Sequence, residues 1–298
     1  GLNLQWGYTG LFNAGVAGFV GIGAYTMAIL TGPARDAVFG GFELPFVVGL
    51  LGAMIAAGLA ALFVGLITLK LNHEYLAVST FGIAVSIQLV LLNWEYLTGG
   101  TLGLISIPNP SKIWAEGPLA QNAIFLCIVL ILGGIIFWAL ERIVKSPWGR
   151  TLKAIREDED AARSLGKNAY SYKMQALILG GMFGAVGGMV RAVGFSVAQP
   201  DNFITDVTFF VWVALILGGA GKVFGPLVGA ALLYAVLDSS DTVLRQLVEN
   251  DYIPSSFMSG TQVGQVRFMI VGLGLVLLAA FRPQGIFGNK EEMALDDR

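Results

Sequence analysis

Residues 146–168 read SPWGRTLKAIREDEDAARSLGKN, a long polar run in a chain that is otherwise mostly hydrocarbon. If Pro147 begins a helix here, apolar side chains recur at steps of three, four and seven residues and form one stripe: Trp148, Leu152, Ile155, Ala162 and Leu165. The opposite face carries the charged side chains Lys153, Arg156, Glu157, Asp158, Asp160 and Arg163. The acids at 157–160 disfavour close contact with anionic lipid. From the residues alone, the segment is either a docking helix for another protein or a solvated loop.

The composition indicates a membrane protein. Of the 298 residues, 55% are hydrophobic and only 13% are charged, and the mean hydropathy is +0.72. A soluble domain carries roughly a quarter charged residues. No basic patch interleaved with aromatic residues points to nucleic acid. The single cysteine, Cys127, excludes an internal disulfide and a cysteine metal site.

Apolar runs of spanning length predict an all-α, polytopic fold. A spanning helix needs about 20 apolar residues. Five segments meet or approach that length: 46–69, 75–92, 122–140, 174–195 and 262–281. Residues 1–6 resemble the tail of another apolar helix, so we expect at least one spanning helix before residue 1.

Two further apolar regions are broken by glycine, at 7–15 and 218–226. The halves of the second region, 207–217 and 227–237, would each be about 16 Å long, which is shorter than a hydrocarbon core of about 30 Å. We therefore expect re-entrant or discontinuous helices, whose irregular backbone must face protein or water.

The breaks and the polar residues inside the spans indicate a substrate pathway. The N-terminal amides of a broken helix attract an anionic group such as a carboxylate. Polar residues at membrane depth are costly, which makes them functional candidates. The candidate pathway residues are Thr9, Asn13, Tyr25, Gln88, Asn93, Gly219, Gly221 and Lys222.

The basic residues predict the orientation. Eight of the 18 Lys+Arg lie between 142 and 173, so this connection is predicted to be cytoplasmic. Counting outwards places 94–121, 196–206 and 238–261 outside, and the tail after 282 inside. Glycines at 180, 184 and 188 predict close helix packing, within one subunit or at a subunit interface.

No catalytic set of residues can be assembled. Gly221-Lys222 resembles the end of a phosphate-binding loop, but Ile216 and Val223 replace the residues that such a loop needs. The chain therefore has no visible means of hydrolysing a nucleotide, and no enzyme activity is predicted.

Several motifs together resemble the permease subunit of branched-chain amino acid ABC importers, of the LivH/LivM type. They are GYTGL at 7–11 with GIGAY at 21–25, NW at 93–94 with LTGG at 97–100 and GL at 103–104, GR at 149–150 with AIREDE at 154–159, LGGAG at 217–221 with GP at 225–226, and FRPQG at 281–285. The family's cytoplasmic loop has the form Glu-Ala-Ala-x-x-x-Gly, and residues 160–166, DAARSLG, resemble it with Asp160 in place of the glutamate.

The resemblance implies that residues 146–168, the coupling segment, dock on an ATPase. The implied coupling residues are Trp148, Leu152, Ile155, Arg156, Glu157, Asp158, Asp160, Ala161, Ala162, Leu165 and Gly166. It also implies a transmembrane permease domain over 1–290 with a cytoplasmic tail at 291–298, in the plasma membrane of a prokaryote, which is the inner membrane in a Gram-negative cell.

The resemblance further implies partners: a second permease chain, usually in a heterodimer, two cytoplasmic ATPases that bind ATP and Mg, and an external solute-binding protein. No cofactor is expected in this chain. Neutral or branched-chain amino acids are the first choice of substrate, and urea or short amides come next. A secondary transporter driven by an ion gradient is the alternative class, because broken helices serve it equally well.

Two departures from the family affect the substrate assignment. Residues 14–19 read AGVAGF, whereas many relatives have Leu-Gly-His-Ala-Ala-Phe. Lys222 also replaces a small hydroxyl residue that is common there.

Overall fold

The computed structural model describes residues 1–35, 38–113, 116–249, 263–281 and 285–287. Twelve α-helices and two strands form within these ranges, and in chain order they are α1 Leu2–Thr9, α2 Val16–Thr31, α3 Phe46–Thr68, α4 His73–Asn93, α5 Glu95–Thr98, β1 Leu104–Ile105, α6 Pro118–Lys145, α7 Pro147–Glu157, α8 Glu159–Ser164, α9 Ala169–Phe195, β2 Val197–Ala198, α10 Thr205–Gly218, α11 Phe224–Glu249 and α12 Val263–Phe281. The predicted all-α class is confirmed.

Six stretches of the described residues are long and apolar enough to cross a membrane: Phe46–Thr68, Glu74–Asn93, Pro118–Lys145, Ala169–Phe195, Pro200–Gly218 and Phe224–Val248. The first four coincide with predicted spans, and the fifth predicted span forms α12. The chain is a multi-pass membrane protein.

The predicted short half-helix at 227–237 is wrong. α11 has 26 residues and continues to Glu249, which gives about 39 Å at about 1.5 Å per residue and is enough to cross the hydrocarbon core. The predicted outer segment 238–261 therefore begins inside a helix. Its residues 250–261 lie outside the described ranges.

The chain divides into two compact units, Gly1–Phe209 and Phe210–Arg298. The first unit is organised around α2, which is buried along nearly its whole length and packs on α3 and α9. Its 16 residues span only about 24 Å. A helix that short stays at membrane depth because other helices enclose it.

Glycines allow α2 and α9 to approach each other backbone to backbone. A Cβ atom on Gly23 would lie 2.2 Å from the Ala185 carbonyl oxygen, and one on Gly188 would lie 1.9 Å from that of Val20. A Cβ atom on Gly180 would meet the side chain of Gln5. Close packing within the subunit is confirmed for Gly180 and Gly188, whereas Gly184 has room for a Cβ atom.

Connections of the first unit meet in two separate places. β1 pairs antiparallel with β2 and so joins the two connections predicted to lie outside, 94–121 and 196–206. In the other place, the turn between α3 and α4 and the helix α8 line one cavity. The structure thus brings the connections 94–121 and 196–206 together, and it brings the α3–α4 turn together with the coupling segment.

In the second unit, residues 285–287 return to the end of α10. The backbone N–H groups of Ile286 and Phe287 donate to the carbonyl oxygens of Leu217 and Gly218, at 3.0 and 3.1 Å. These bonds satisfy carbonyls that the end of a helix leaves open. Gly285 has φ +76°, a left-handed conformation that favours glycine. Residues 282–284 of the FRPQG motif and the predicted tail 291–298 lie outside the described ranges.

We predict that Gly188→Ala destabilises the protein, because its new methyl group would meet the backbone of α2. The expected loss is about 1–3 kcal/mol, typical of an overpacked contact. Gly187→Ala is the matched control, since a Cβ atom there meets nothing within 4 Å. Thermal unfolding in detergent measures the difference, and equal unfolding temperatures for the two variants would contradict the packing.

Candidate functional site

The coupling segment forms two helices rather than the single helix that its periodicity predicts. Asp158 separates α7 from α8 with an extended backbone, φ −154°. Its carboxylate Oδ1 accepts the backbone N–H of Ala161 at 2.9 Å, which caps the start of α8. The hydroxyl oxygen of Ser146 accepts the N–H of Gly149 and caps α7 in the same way.

Most of the predicted apolar stripe faces the rest of this chain. Leu152 is fully buried and Ile155 is 3% exposed, and Ala162 packs with Ile155, Ala169 and Tyr172. The prediction that the whole stripe contacts an ATPase is therefore corrected, because these three side chains are covered by their own subunit.

The two ends of the stripe differ. The indole Nε1 of Trp148 donates to Gln175 Oε1 of α9 at 2.6 Å, so this side chain is also engaged within the chain. Leu165, in contrast, is 81% exposed. The exposed members of the predicted coupling residues are here called the docking face, and they are Glu157, Asp158, Asp160, Ala161, Leu165 and Gly166.

Charged side chains tie the coupling segment to two other helices. Lys173 Nζ of α9 lies 2.5 Å from Glu159 Oε2 of α8, with the two side chains 13% and 26% exposed. Arg156 Nη1 of α7 donates to the carbonyl oxygen of Gly7 in α1. The segment is thereby linked to α9 and to the helix that precedes the first glycine break.

The DAARSLG motif has a local structural reason. Ala162 is small because it is buried, and Gly166 has φ +78°, which a residue with a side chain rarely adopts. The N–H of Gly166 donates to Arg163 O at 2.9 Å and that of Lys167 to Ala162 O at 3.1 Å, which closes the end of α8.

At the first break, side chains of this chain satisfy the backbone at the start of α2. The N–H of Gly15 donates to Asn13 Oδ1 at 2.7 Å, that of Ala14 to Thr80 Oγ1 at 3.1 Å, and that of Ala17 to Thr208 Oγ1 at 2.9 Å. The prediction that these amides attract a substrate carboxylate is corrected for this conformation. All three N–H groups already donate to side-chain oxygens of this chain.

Asn13 and Thr9 are both buried at this break. Asn13 Nδ2 donates to Gln5 Oε1 at 2.9 Å, and Gln5 Nε2 donates to the carbonyl oxygen of Leu177 in α9 at 3.2 Å. The Thr9 hydroxyl donates to Leu4 O at 2.9 Å within α1. Sequence reasoning missed Gln5, although a glutamine inside an apolar run was the available signal.

Tyr25 differs from these residues. It is 3% exposed, its ring lies edge-on to Phe203 at 6.1 Å between centroids, and its hydroxyl has no hydrogen-bond partner among the described residues. A buried polar group without a partner costs about 1–3 kcal/mol. Such a group requires a structural or functional explanation.

The remaining candidates of the first unit, Gln88 and Asn93, both lie on α4. Asn93 is exposed and its Nδ2 donates to Leu89 O of its own helix at 2.7 Å, while Gln88 is half-buried. Gly219 and Gly221 have φ +93° and +86°, so they serve the backbone of the second break, where Lys222 is exposed.

The described residues form a polytopic helical protein with glycine breaks before α2 and α11, an arrangement typical of membrane transport proteins. The family described as branched-chain amino acid transport system / permease component matches residues 1–280, and the chain belongs to this family. The predicted family is confirmed. The relatives are permease subunits, which supports the prediction of a transport subunit without an ATPase site of its own.

Curated relatives carry several names. The chain is 29% identical to the high-affinity branched-chain amino acid transport system permease protein LivM of Escherichia coli, over 96% of this chain and 66% of that protein. It is 25% identical to the probable LivM of Methanocaldococcus jannaschii, over 97% of this chain and 89% of that protein. It is 28% identical to the nucleoside ABC transporter permease protein NupC of Lactococcus lactis, over 92% and 86%. No solved structure matches the chain.

We predict that Glu159→Gln destabilises the protein by about 1–3 kcal/mol, because it leaves the largely buried ammonium of Lys173 without its carboxylate. Asp160→Asn is the matched control: its side chain is 93% exposed and lies 3.7 Å from Arg163, so its loss changes stability little. Thermal unfolding of the two variants compares them, and equal stability would contradict a structural role for the Glu159 pair.

Proposed function

We propose that this chain is a membrane subunit of an ATP-driven importer for neutral or branched-chain amino acids. The observation that carries this proposal is the 29% sequence identity to LivM of Escherichia coli, which extends over 96% of this chain. The chain would work beside a second permease chain, two cytoplasmic ATPases that bind ATP and Mg, and an external solute-binding protein. The chain spans 66% of the length of that relative, so activity, substrate and partners all belong to the proposal.

The docking face would contact the ATPase. Closure of the ATPases on ATP would move the coupling segment, and the Glu159–Lys173 pair would pass this movement to α9. α9 packs backbone to backbone on α2, so the movement would reach the helix that carries Tyr25. The outcome would be alternating access driven from outside this chain.

We also propose that the coupling segment faces the cytoplasm, in a prokaryotic plasma membrane. Eight of the 18 basic residues in or beside it support this orientation. In a Cys127→Ser background, a membrane-impermeant thiol reagent should label Lys167→Cys only after the cells are permeabilised. Labelling in intact cells would contradict the orientation.

Uptake by the complete reconstituted complex tests the function. We expect ATP-dependent uptake of leucine, valine or isoleucine. Nucleoside uptake is the second candidate, which the similarity to NupC favours. Uptake of urea alone, or uptake that needs an ion gradient and no ATP, would contradict the proposal.

We predict that Leu165→Asp abolishes association with the ATPase and leaves the permease folded, because Leu165 is 81% exposed on the docking face. Leu102→Asp is the matched control, since Leu102 is 76% exposed in a connection at the opposite end of the first unit. Co-purification of the ATPase measures association. Ile155→Asp, at a buried position, should instead reduce the yield of folded protein. Normal association of Leu165→Asp would remove this face from the interface.

We predict that Tyr25→Phe raises the KM for uptake by about tenfold and leaves kcat unchanged. The hydroxyl would donate a hydrogen bond to the substrate, and losing one hydrogen bond weakens binding by up to about tenfold. Protein stability should not fall, since the variant removes an unsatisfied buried group. Tyr234→Phe, at an exposed tyrosine of α11, is the control. An unchanged KM would exclude a role for this hydroxyl in substrate binding.

A further inference from the structure

A cavity of about 430 Å³ lies where α8 and the start of α9 meet the α3–α4 turn and the first break. It therefore adjoins two elements that the proposed transport cycle would move, α8 and α9. Neither the family match nor the names of the relatives assign a ligand to it.

The charges that line the cavity are unbalanced. Lys70, Arg163 and Lys173 contribute three positive charges, and Glu159 is the one carboxylate among the lining residues. Glu159 is already bound by Arg163 at 2.7 Å and by Lys173 at 2.5 Å. Lys70 comes from a different element, the α3–α4 turn, and is exposed. The lining thus keeps a net positive charge after its internal ion pairs have formed.

The start of α4 also lines the cavity. Asn72 is the N-cap of α4 and lines the cavity, and its side chain accepts no hydrogen bond from the first turn of the helix. The open amides at the start of a 21-residue helix carry a partial positive charge. The first turn of α4 also carries Glu74, which does not line the cavity and whose carboxylate offsets part of this charge.

Four leucine side chains form the apolar part of the lining, here called the leucine floor. Leu11 from the first break and Leu76 from α4 are both buried, and Leu69 and Leu71 flank Lys70 in the turn. A ligand that fits this lining carries a negative charge at one end and an aliphatic group at the other.

We propose that this cavity binds a small aliphatic anion, a carboxylate or a phosphate, between Lys70 and the start of α4 on one side and the leucine floor on the other. The anionic group has two sources, a free organic acid or the phosphate of an anionic lipid. Either ligand would bridge the α3–α4 turn and α8.

Occupancy has a consequence that rests on the proposed import function. A ligand held by both the turn and α8 would restrain the coupling segment, and so it would lower the ATPase rate of the assembled transporter. An aliphatic carboxylic acid formed from an imported amino acid would then bind from the cytoplasmic side and slow further import of that amino acid. Binding itself does not depend on this consequence.

Ligand-induced stabilisation of the purified complex in detergent tests binding. The soluble probes are 4-methylpentanoate and butyl phosphate. The lipid arm compares nanodiscs of phosphatidylglycerol with nanodiscs of phosphatidylcholine. Stabilisation by a soluble probe supports a free acid as the source, and stabilisation by phosphatidylglycerol alone supports a lipid. If neither raises the unfolding temperature, the proposal is overturned, whatever uptake shows.

Variants at Lys70 locate the site. Lys70→Gln should weaken binding by about tenfold, because losing a hydrogen bond to a charged group weakens binding by at least that factor. Lys70→Arg should retain binding, because it keeps the positive charge. Lys167→Gln is the matched control, because it removes one positive charge from an exposed residue of the coupling segment outside the cavity. Equal binding by Lys70→Gln and Lys167→Gln would overturn the site.

Discussion

The backbone contact between α2 and α9 is the constraint on which the first unit depends. Lipid is as apolar as leucine, so no hydrophobic force draws two helices together within it, and close packing must replace that force. Gly23 and Gly188 remove the two side chains that would keep these backbones apart. α2 is too short to cross the membrane unaided, and this contact helps enclose it in protein.

A second constraint follows from the break that precedes α2. A helix that begins at membrane depth must satisfy its first amides without water. Asn13, Thr80 and Thr208 do this with side-chain oxygens from three parts of the chain. Opening a pathway at this point would require each bond to be exchanged for one to water or substrate. The polar residues of the spans therefore have a structural role in this conformation, and Tyr25 is set apart because its hydroxyl has no such role.

Different features of the fold and of the coupling segment could be predicted from the sequence to different degrees. Apolar length located five helices, because it measures transfer to lipid directly. It misjudged α11, since Asp238 and Asp241 ended the apolar run while the helix continued to Glu249. Periodicity located the apolar stripe of the coupling segment. It predicts that this face is buried, but it does not show whether the same chain or a partner covers it. The helix cap at Asp158 could not be predicted, because an aspartate in a run of acidic residues is equally typical of a solvent-exposed surface. Contacts distant in sequence, such as Glu159 with Lys173, have no local signature.

The burial of the stripe changes how a motor would act on this protein. Burying Leu152 and Ile155 contributes about 1.5–3 kcal/mol each, and the links through Trp148 and Arg156 hold the same helix. A segment fixed in this way is already ordered before a partner arrives, so docking does not incur the entropy of folding it. Under the proposed function, the exposed docking face would need only to set the register of the ATPase. The buried stripe and the Glu159–Lys173 pair would then carry a displacement of α8 to α9 without loss in a flexible loop.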